Sequence, residues 1–413
     1  MKKALVLAGG IPQIELIKEL QEREYYVILA DYYENPVAKP YADKFYRKST
    51  LDVDAIRKIC IEESVDMLIT CCTDQALATV SLLSQELNLP CYINADVGLA
   101  VTNKQYMKEI FVQNNIPTAK FTIMHEAGKV DGLKYPLVIK PVDCNSSKGV
   151  VCVKSEQELN EAVNTAINFS RTQTAIVEEY IDGVEVSVDL FVCQGKAEIL
   201  CYSFSDKIKN NNGFVIYRGQ YPAKISEIVL KKIKDASQNI AEAFHLNNCP
   251  MLIQLLVKDE EIFVIEFSAR TGGCVKYHMI ELASGVDVIK TTVDVFEGKP
   301  ITVNPVYSNN IIVNEFVYCK QGVYSRLEGI DECIDLGFLE KVFVLKKPGE
   351  QFEKVENSGD RIAALTYVAE SYEDYVHKHN EVVARIKVID YNGADMMRHD
   401  LLPLLKCKEN GYE

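Results

Sequence analysis

MLIQLLVKDEEIFVIEFSARTGG, residues Met251 to Gly273, reads as two apolar strands joined by a tight turn near Asp259-Glu260. Folding Met251–Lys258 back against Glu261–Phe267 puts Gln254 and Glu266, 12 residues apart, on paired strands. Side chains alternate faces along a strand, so Glu266, Ser268 and Arg270 share one face. A carboxylate and an amide oxygen on that face suit magnesium, a hard ion that takes oxygen ligands and bridges phosphates. Arg270 beside them is placed to hold a transferring phosphoryl group. Gly272-Gly273 then offers bare backbone amides. The plain alternative is a salt-bridged hairpin without chemistry.

Three more clusters lie upstream in a fixed order. AIVEEYIDGVEVSVDLFV (Ala175–Val192) is a strand ending in two acids, a turn at Asp182-Gly183, and a return strand carrying Glu185, Ser187 and Asp189 in alternation. A carboxylate at such a strand edge can accept from an adenine amino group or ribose hydroxyls, although a polar sheet face explains the alternation equally well. YPLVIKPVDCNSSKGV (Tyr135–Val150) sets Lys140 in an apolar run, where an ammonium must find an anion or reach out to water. The loop after it, with Asn145, Ser146, Ser147, Lys148 and Gly149, is small and polar enough for backbone N–H groups to approach a phosphate. GxxxxGK[ST] is absent, so this is no P-loop. TNKQYMKEIFVQNNIP (Thr102–Pro117) puts Lys104 and Lys108 on one helical face, which by itself reads as a solvated face.

Around these clusters the pattern predicts a helix over Lys104–Asn114, strands at Lys120–Met124, Pro136–Pro141 and Gly149–Val153, and a helix over Ser155–Arg171. It predicts further strands at Ala175–Glu179, Glu185–Cys193 and Ala197–Phe204, and one closing helix over Glu281–Phe296. Runs of strands separated by turns imply antiparallel sheets. Residues 1–100 differ. Strands at Lys3–Gly10, Tyr25–Tyr33, Asp66–Cys72 and Pro90–Asn94 alternate with helical stretches such as Val53–Glu63 and Asp74–Leu87. That alternation implies parallel strands with crossover helices on both faces. Gly9-Gly10 and the strand-end acid Asp31 hint at a dinucleotide site, but GxGxxG is missing, which argues against NAD chemistry. After Gly298, short strands (Ile311–Val317, Lys341–Lys346) mix with a helix near Glu373–Ile386.

The 413 residues call for two or three domains, and 48% hydrophobic with 25% charged residues favours globular folding over disorder. A formal charge of −14 without a long basic run argues against nucleic acid and anionic membranes as partners. The apolar run after Lys2-Lys3 is too short for a signal peptide, and no stretch approaches a membrane span. Thirteen scattered cysteines without CxxC fit reduced thiols, so a cytoplasmic location is expected and the N-x-S matches at Asn145 and Asn168 are fortuitous.

In order and together, the clusters resemble the ATP-grasp superfamily, in the branch of carbamoyl-phosphate synthetase, phosphoribosylglycinamide synthetase and other carboxylate–amine ligases. The resemblance implies an α/β multidomain chain. Its parts are a doubly wound parallel-sheet pre-ATP-grasp domain (1–101), a two-part α+β ATP-grasp domain (102–300, lid about 119–182) and a small α+β C-terminal domain (301–413). It assigns Lys104 and Lys140 to ATP phosphates and the loop containing Ser146, Ser147, Lys148 and Gly149 to closure over them. Glu178, Glu179 and Ile181 fall at the adenine position and Glu185 at the ribose position. Gln254, Glu266 and Ser268 become the Mg²⁺ ligands, with Ser268 where relatives carry asparagine. Arg270 and Lys140 become the catalytic cations. The implied activity is ligation of a small-molecule carboxylate to an amine through an acyl phosphate, with ATP and Mg²⁺ (or Mn²⁺) and a homodimer as the usual assembly. A nucleotide-binding protein of the same fold without ligase catalysis is the alternative.

Overall fold

The computed structural model describes residues 1–144, 148–208, 215–353, 355 and 357–406. Near the N-terminus, strands Lys3–Leu7, Tyr26–Asp31, Lys44–Arg47 and Met67–Ile69 form one parallel sheet. Lys3–Leu7 lies between Tyr26–Asp31 and Met67–Ile69, with Lys44–Arg47 on the outer edge. The two central strands bury nearly every residue, which is why they read as unbroken apolar runs. Helices Ile11–Glu22 and Val53–Glu63 are the crossovers, and Asp74–Leu87 follows the last strand.

Two expectations fail here. The strand expected at Pro90–Asn94 does not form, because Asn94 caps helix Ala95–Thr102 by accepting from Val97 N–H at 2.9 Å. The fourth strand is instead Lys44–Arg47. Its charged ends and half-exposed middle suit an edge and hide it from a search for apolar runs.

A second, antiparallel sheet of four strands runs in the order Phe121–Met124, Ala175–Glu179, Leu137–Pro141, Val151–Val153. Helix Glu156–Phe169 covers it through Leu159, Ala162, Val163 and Ala166, giving this unit its own core. The third sheet has eight antiparallel strands, in the order Glu261–Ser268, Cys249–Lys258, Val184–Cys193, Lys196–Lys207, Ile216–Tyr221, Ile311–Val317, Ala363–Ala369, Lys341–Val344. The sheet therefore continues past residue 300. Ile311–Val317 pairs with Ile216–Tyr221 and carries the last strands with it. A further three-stranded sheet joins Gln351–Phe352, Gly322–Glu328 and Lys387–Asp390.

Helix Glu227–Ala243, absent from the sequence reading, turns Val229, Ile233, Ala236 and Ile240 inward and is capped by Ser226, which accepts from Val229 N–H at 3.2 Å. The single closing helix expected over Glu281–Phe296 is two, Lys276–Ser284 and Val288–Phe296. Gly285, at φ +69°, ends the first, and Asp287 caps the second. No helix among the described residues is long and apolar enough to cross a membrane. The twelve cysteines among them are free thiols.

Candidate nucleotide site

Backbone register builds the floor of the site. Gln254 pairs with Glu266 on one side and with Ser187 on the other. The Gln254 amide nitrogen donates to Glu185 Oε1 at 3.3 Å, leaving the amide oxygen as the acceptor on that side chain. Glu185 Oε2 is taken by Lys207, from the next strand of the sheet.

Two lysines enter from outside that sheet. Lys104 opens helix Lys104–Gln113, and Asn103 caps it by accepting from Gln105 N–H at 2.9 Å. The Lys104 ammonium lies 3.2 Å from Glu266 Oε2 and donates to the Cys144 carbonyl at 2.8 Å. Lys140, on the lid strand Leu137–Pro141, is buried and donates to Glu178 Oε2 at 2.6 Å. The other Glu178 oxygen lies 3.2 Å from Lys108 Nζ, which also donates to the Val264 carbonyl at 3.0 Å. Burial alone would raise the Glu178 carboxyl, but Lys108 and Lys140 outweigh it and pull it down to about 2.

Lid and floor enclose a cleft of about 860 Å³. Lys104, Lys140, Glu178, Glu179, Ile181, Glu185, Gln254 and Glu266 all line it, although they are spread over more than 160 residues of chain. Val138, Leu256 and Phe263 give it an apolar side that suits a flat base. Ser268 and Arg270 line a smaller neighbouring pocket whose walls include Lys104, Gln254 and Glu266, so the two spaces share three side chains. Residues 133–277 match the family model of the ATP-grasp domain. The chain carries an ATP-grasp domain.

Relatives agree with the whole-chain architecture. A formate-dependent phosphoribosylglycinamide formyltransferase from Prochlorococcus marinus (strain NATL1A) is 27% identical over 279 residues, covering 65% of this chain and 70% of that protein. The crystal structure of an L-amino acid ligase from Bacillus licheniformis superposes with a TM-score of 0.80 at 21% identity, over 95% of this chain and 99% of that one. A phosphoribosylglycinamide synthetase from Anaerococcus prevotii superposes at 0.75 with 20% identity, over 94% and 99%.

Arg270 reaches out of the ATP-grasp domain: its Nε donates to Asp74 Oδ1 at 2.5 Å and its Nη2 to the other oxygen. Ser268 also gives its hydroxyl to Asp74. Burial would raise the Asp74 carboxyl, but Arg270 outweighs it and holds the group below the ordinary carboxylate range. Asp74 stands in the first turn of its helix at the end of the parallel sheet. This pair therefore ties the N-terminal unit to the grasp sheet.

The metal donors also differ among themselves. Glu266 and the Gln254 oxygen fit a hard cation that completes its shell from phosphate oxygens and water. Ser268 faces Asp74 in the adjoining pocket. Ser146 and Ser147 lie outside the described residues. Lys148 is exposed, and Gly149 sits at φ +70° in the turn after Pro141, where a Cβ would come 2.9 Å from the Pro141 ring. Neither lines the cleft among the described residues. Glu179 accepts at its carboxylate from Lys134 N–H at 3.0 Å, and its own N–H donates to the Lys120 carbonyl at 2.9 Å.

The solvated face expected for Lys104 and Lys108 is overturned, since both lysines are buried. Lys108, which the sequence pattern groups with Lys104 but gives no site role, and Lys207, which it does not mark, also line the cleft. The one local signal for Lys108 was its four-residue spacing from Lys104. Lys207 gave none.

Proposed function

We propose that this ATP-grasp protein is an ATP-dependent carboxylate–amine ligase working through an acyl phosphate. The observation that carries the reading is the convergence of Lys104, Lys140, Gln254 and Glu266 on one cleft, with Arg270 across a shared wall. A carboxylate oxygen attacks the γ-phosphorus of ATP, ADP leaves, and an amine then displaces phosphate from the acyl carbon. Little covalent work falls to the protein, so charge placement and exclusion of water do most of it. Lys104 and Lys140 hold phosphate oxygens from opposite sides. Arg270 steadies the transferring group from the acceptor side, held in direction by Asp74. Mg²⁺, or Mn²⁺, held by Gln254 and Glu266 would neutralise charge between the phosphates. The lid, about residues 119–182, keeps water from the acyl phosphate. A cytoplasmic homodimer is the setting this reading expects.

Formate, amino acids and phosphoribosyl amines, drawn from the relatives' names, make the first panel. Release of ADP and phosphate is measured for every acid and amine pair with Mg–ATP. Turnover that needs both members of one pair is the expected result. Tight Mg–ATP binding without ADP release from any pair would instead favour the non-catalytic nucleotide-binding reading.

Lys140→Ala is expected to raise the Kd for Mg–ATP by about tenfold to a hundredfold, the weight of a charge-assisted contact to phosphate. Unchanged affinity by titration calorimetry would refute the phosphate role of Lys140.

A further inference from the structure

Lys108 and Lys140 bring two buried ammonium groups to one buried carboxylate, Glu178. The two lysines are held very differently. Lys108 stands on helix Lys104–Gln113, outside the lid, and is 1% exposed. Its ammonium donates to the Val264 carbonyl at 3.0 Å and to the Thr118 hydroxyl, and lies 3.2 Å from Glu178 Oε1. Thr118 is itself tied to the same carbonyl, at 2.8 Å. An ammonium has three N–H donors, so Lys108 has none to spare. Lys140, on the lid strand Leu137–Pro141, has Glu178 Oε2 as its one hydrogen-bond partner among the described residues, at 2.6 Å. It keeps two donors for a ligand.

Two positive groups on one negative leave a net positive charge in a buried place, which an anion in the cleft relieves. Lys108, Lys140 and Glu178 all line that cleft. To take a phosphate, Lys140 must loosen its hold on Glu178. A buried carboxylate stripped of its only counter-charge is strongly unfavourable. Lys108 removes that obstacle, because it stays at Oε1 when Lys140 leaves Oε2. Burial is first among the causes that push the Lys108 ammonium below the ordinary lysine range; Glu178 opposes the fall and Lys140 adds to it. Departure of Lys140 therefore strengthens the pair that remains.

We propose that Lys108 is a positioning residue for Lys140: by holding Glu178 it frees Lys140 to turn from that carboxylate to an ATP phosphate. The proposal rests on the reading that Lys140 meets the phosphates. It makes Glu178 a carboxylate that exchanges partners, with the triphosphate as the incoming anion, and it requires no contact between Lys108 and the nucleotide. Without Lys108, Glu178 would keep Lys140 as its one contacting cation and compete with the phosphates for it.

The test is a double-mutant cycle on the full chain, read as the Kd for Mg–ATP by titration calorimetry. Lys108→Met should raise the Kd by about tenfold, and Lys108→Arg, which keeps the charge, by much less. The deciding variant is Lys108→Met combined with Lys140→Ala. With no lysine left to release, it should bind within about threefold of Lys140→Ala alone. A side chain that merely supports the fold, adds to the field over the cleft or touches phosphate itself would cost about the same tenfold in both backgrounds. Additive losses, an equal loss in Lys108→Arg and Lys108→Met, or unchanged affinity in Lys108→Met overturn the proposal. Lys140→Ala separates this proposal from the reading beneath it. Unchanged affinity there defeats the phosphate role of Lys140 and this proposal with it, whereas a loss there beside an unaltered Lys108→Met defeats this proposal alone. The melting temperature without nucleotide shows whether each variant is folded, and Lys108→Gln takes the place of Lys108→Met in the same cycle should the latter not fold.

Discussion

Arg270→Ala should cut turnover by about a thousandfold or more while Mg–ATP binds almost as before. The geometry separates the two effects. Arg270 lines the small pocket beside the nucleotide cleft and is not among the cleft's lining residues, whereas Lys104 and Lys140 are. A group that meets charge mainly as the phosphoryl moves across should affect the rate far more than nucleotide affinity. Single-turnover ADP release gives the rate and calorimetry the affinity. A parallel fall in both would contradict this role. The variant carries a second consequence, because it removes the guanidinium paired with the buried Asp74 carboxylate. Removing one partner of a buried pair typically destabilises by about 3–5 kcal/mol. Arg270→Ala with Asp74→Ala should therefore recover much of the lost melting temperature and none of the lost rate. Recovery of rate in the double variant would mean that Arg270 only neutralises Asp74.

The parts of this site that could be read in the sequence are those fixed by local periodicity. The Gln254 and Glu266 pairing follows from two short strands and a tight turn, and the observed register reproduces it. Lys140 stood out because an ammonium in the run Leu137-Val138-Ile139 demands an anion, and Glu178 supplies it. What stayed hidden depends on pairing between distant segments. A helix with two lysines on one face looks solvated until a lid strand brings Glu178 against it. The acids after Ala175 suggested contacts to a base, yet Glu178 is engaged by two ammonium groups. Nothing near residue 311 shows that Ile311–Val317 will join the grasp sheet through Ile216–Tyr221.

Glu178→Ala should be the most destabilising single change in the lid. It leaves Lys108, 1% exposed, and Lys140 facing each other without the carboxylate between them. Loss of a buried counter-ion of this kind costs about 3–5 kcal/mol, and the repulsion left behind adds to it. Denaturant titration measures the loss, and a change below about 1 kcal/mol would show that the triad is not a closed electrostatic unit. The same carboxylate sets a pH dependence whose sign is fixed. Its folded pKa is pulled down to about 2, below the roughly 4.3 of a free glutamate. The unfolded chain therefore takes up a proton first as pH falls. The stabilisation, about 3 kcal/mol at order of magnitude, is complete above pH 4.3 or so and drains away toward pH 2. Glu178→Gln keeps the shape and abolishes that titration. The wild type should lose its stability advantage over the Gln variant as pH falls through this window, and a constant difference between the two would break the link between the triad and the lid. Mg–ATP should add most to the stability of Glu178→Ala, because the phosphates bring to Lys140 the negative charge that the missing glutamate provided.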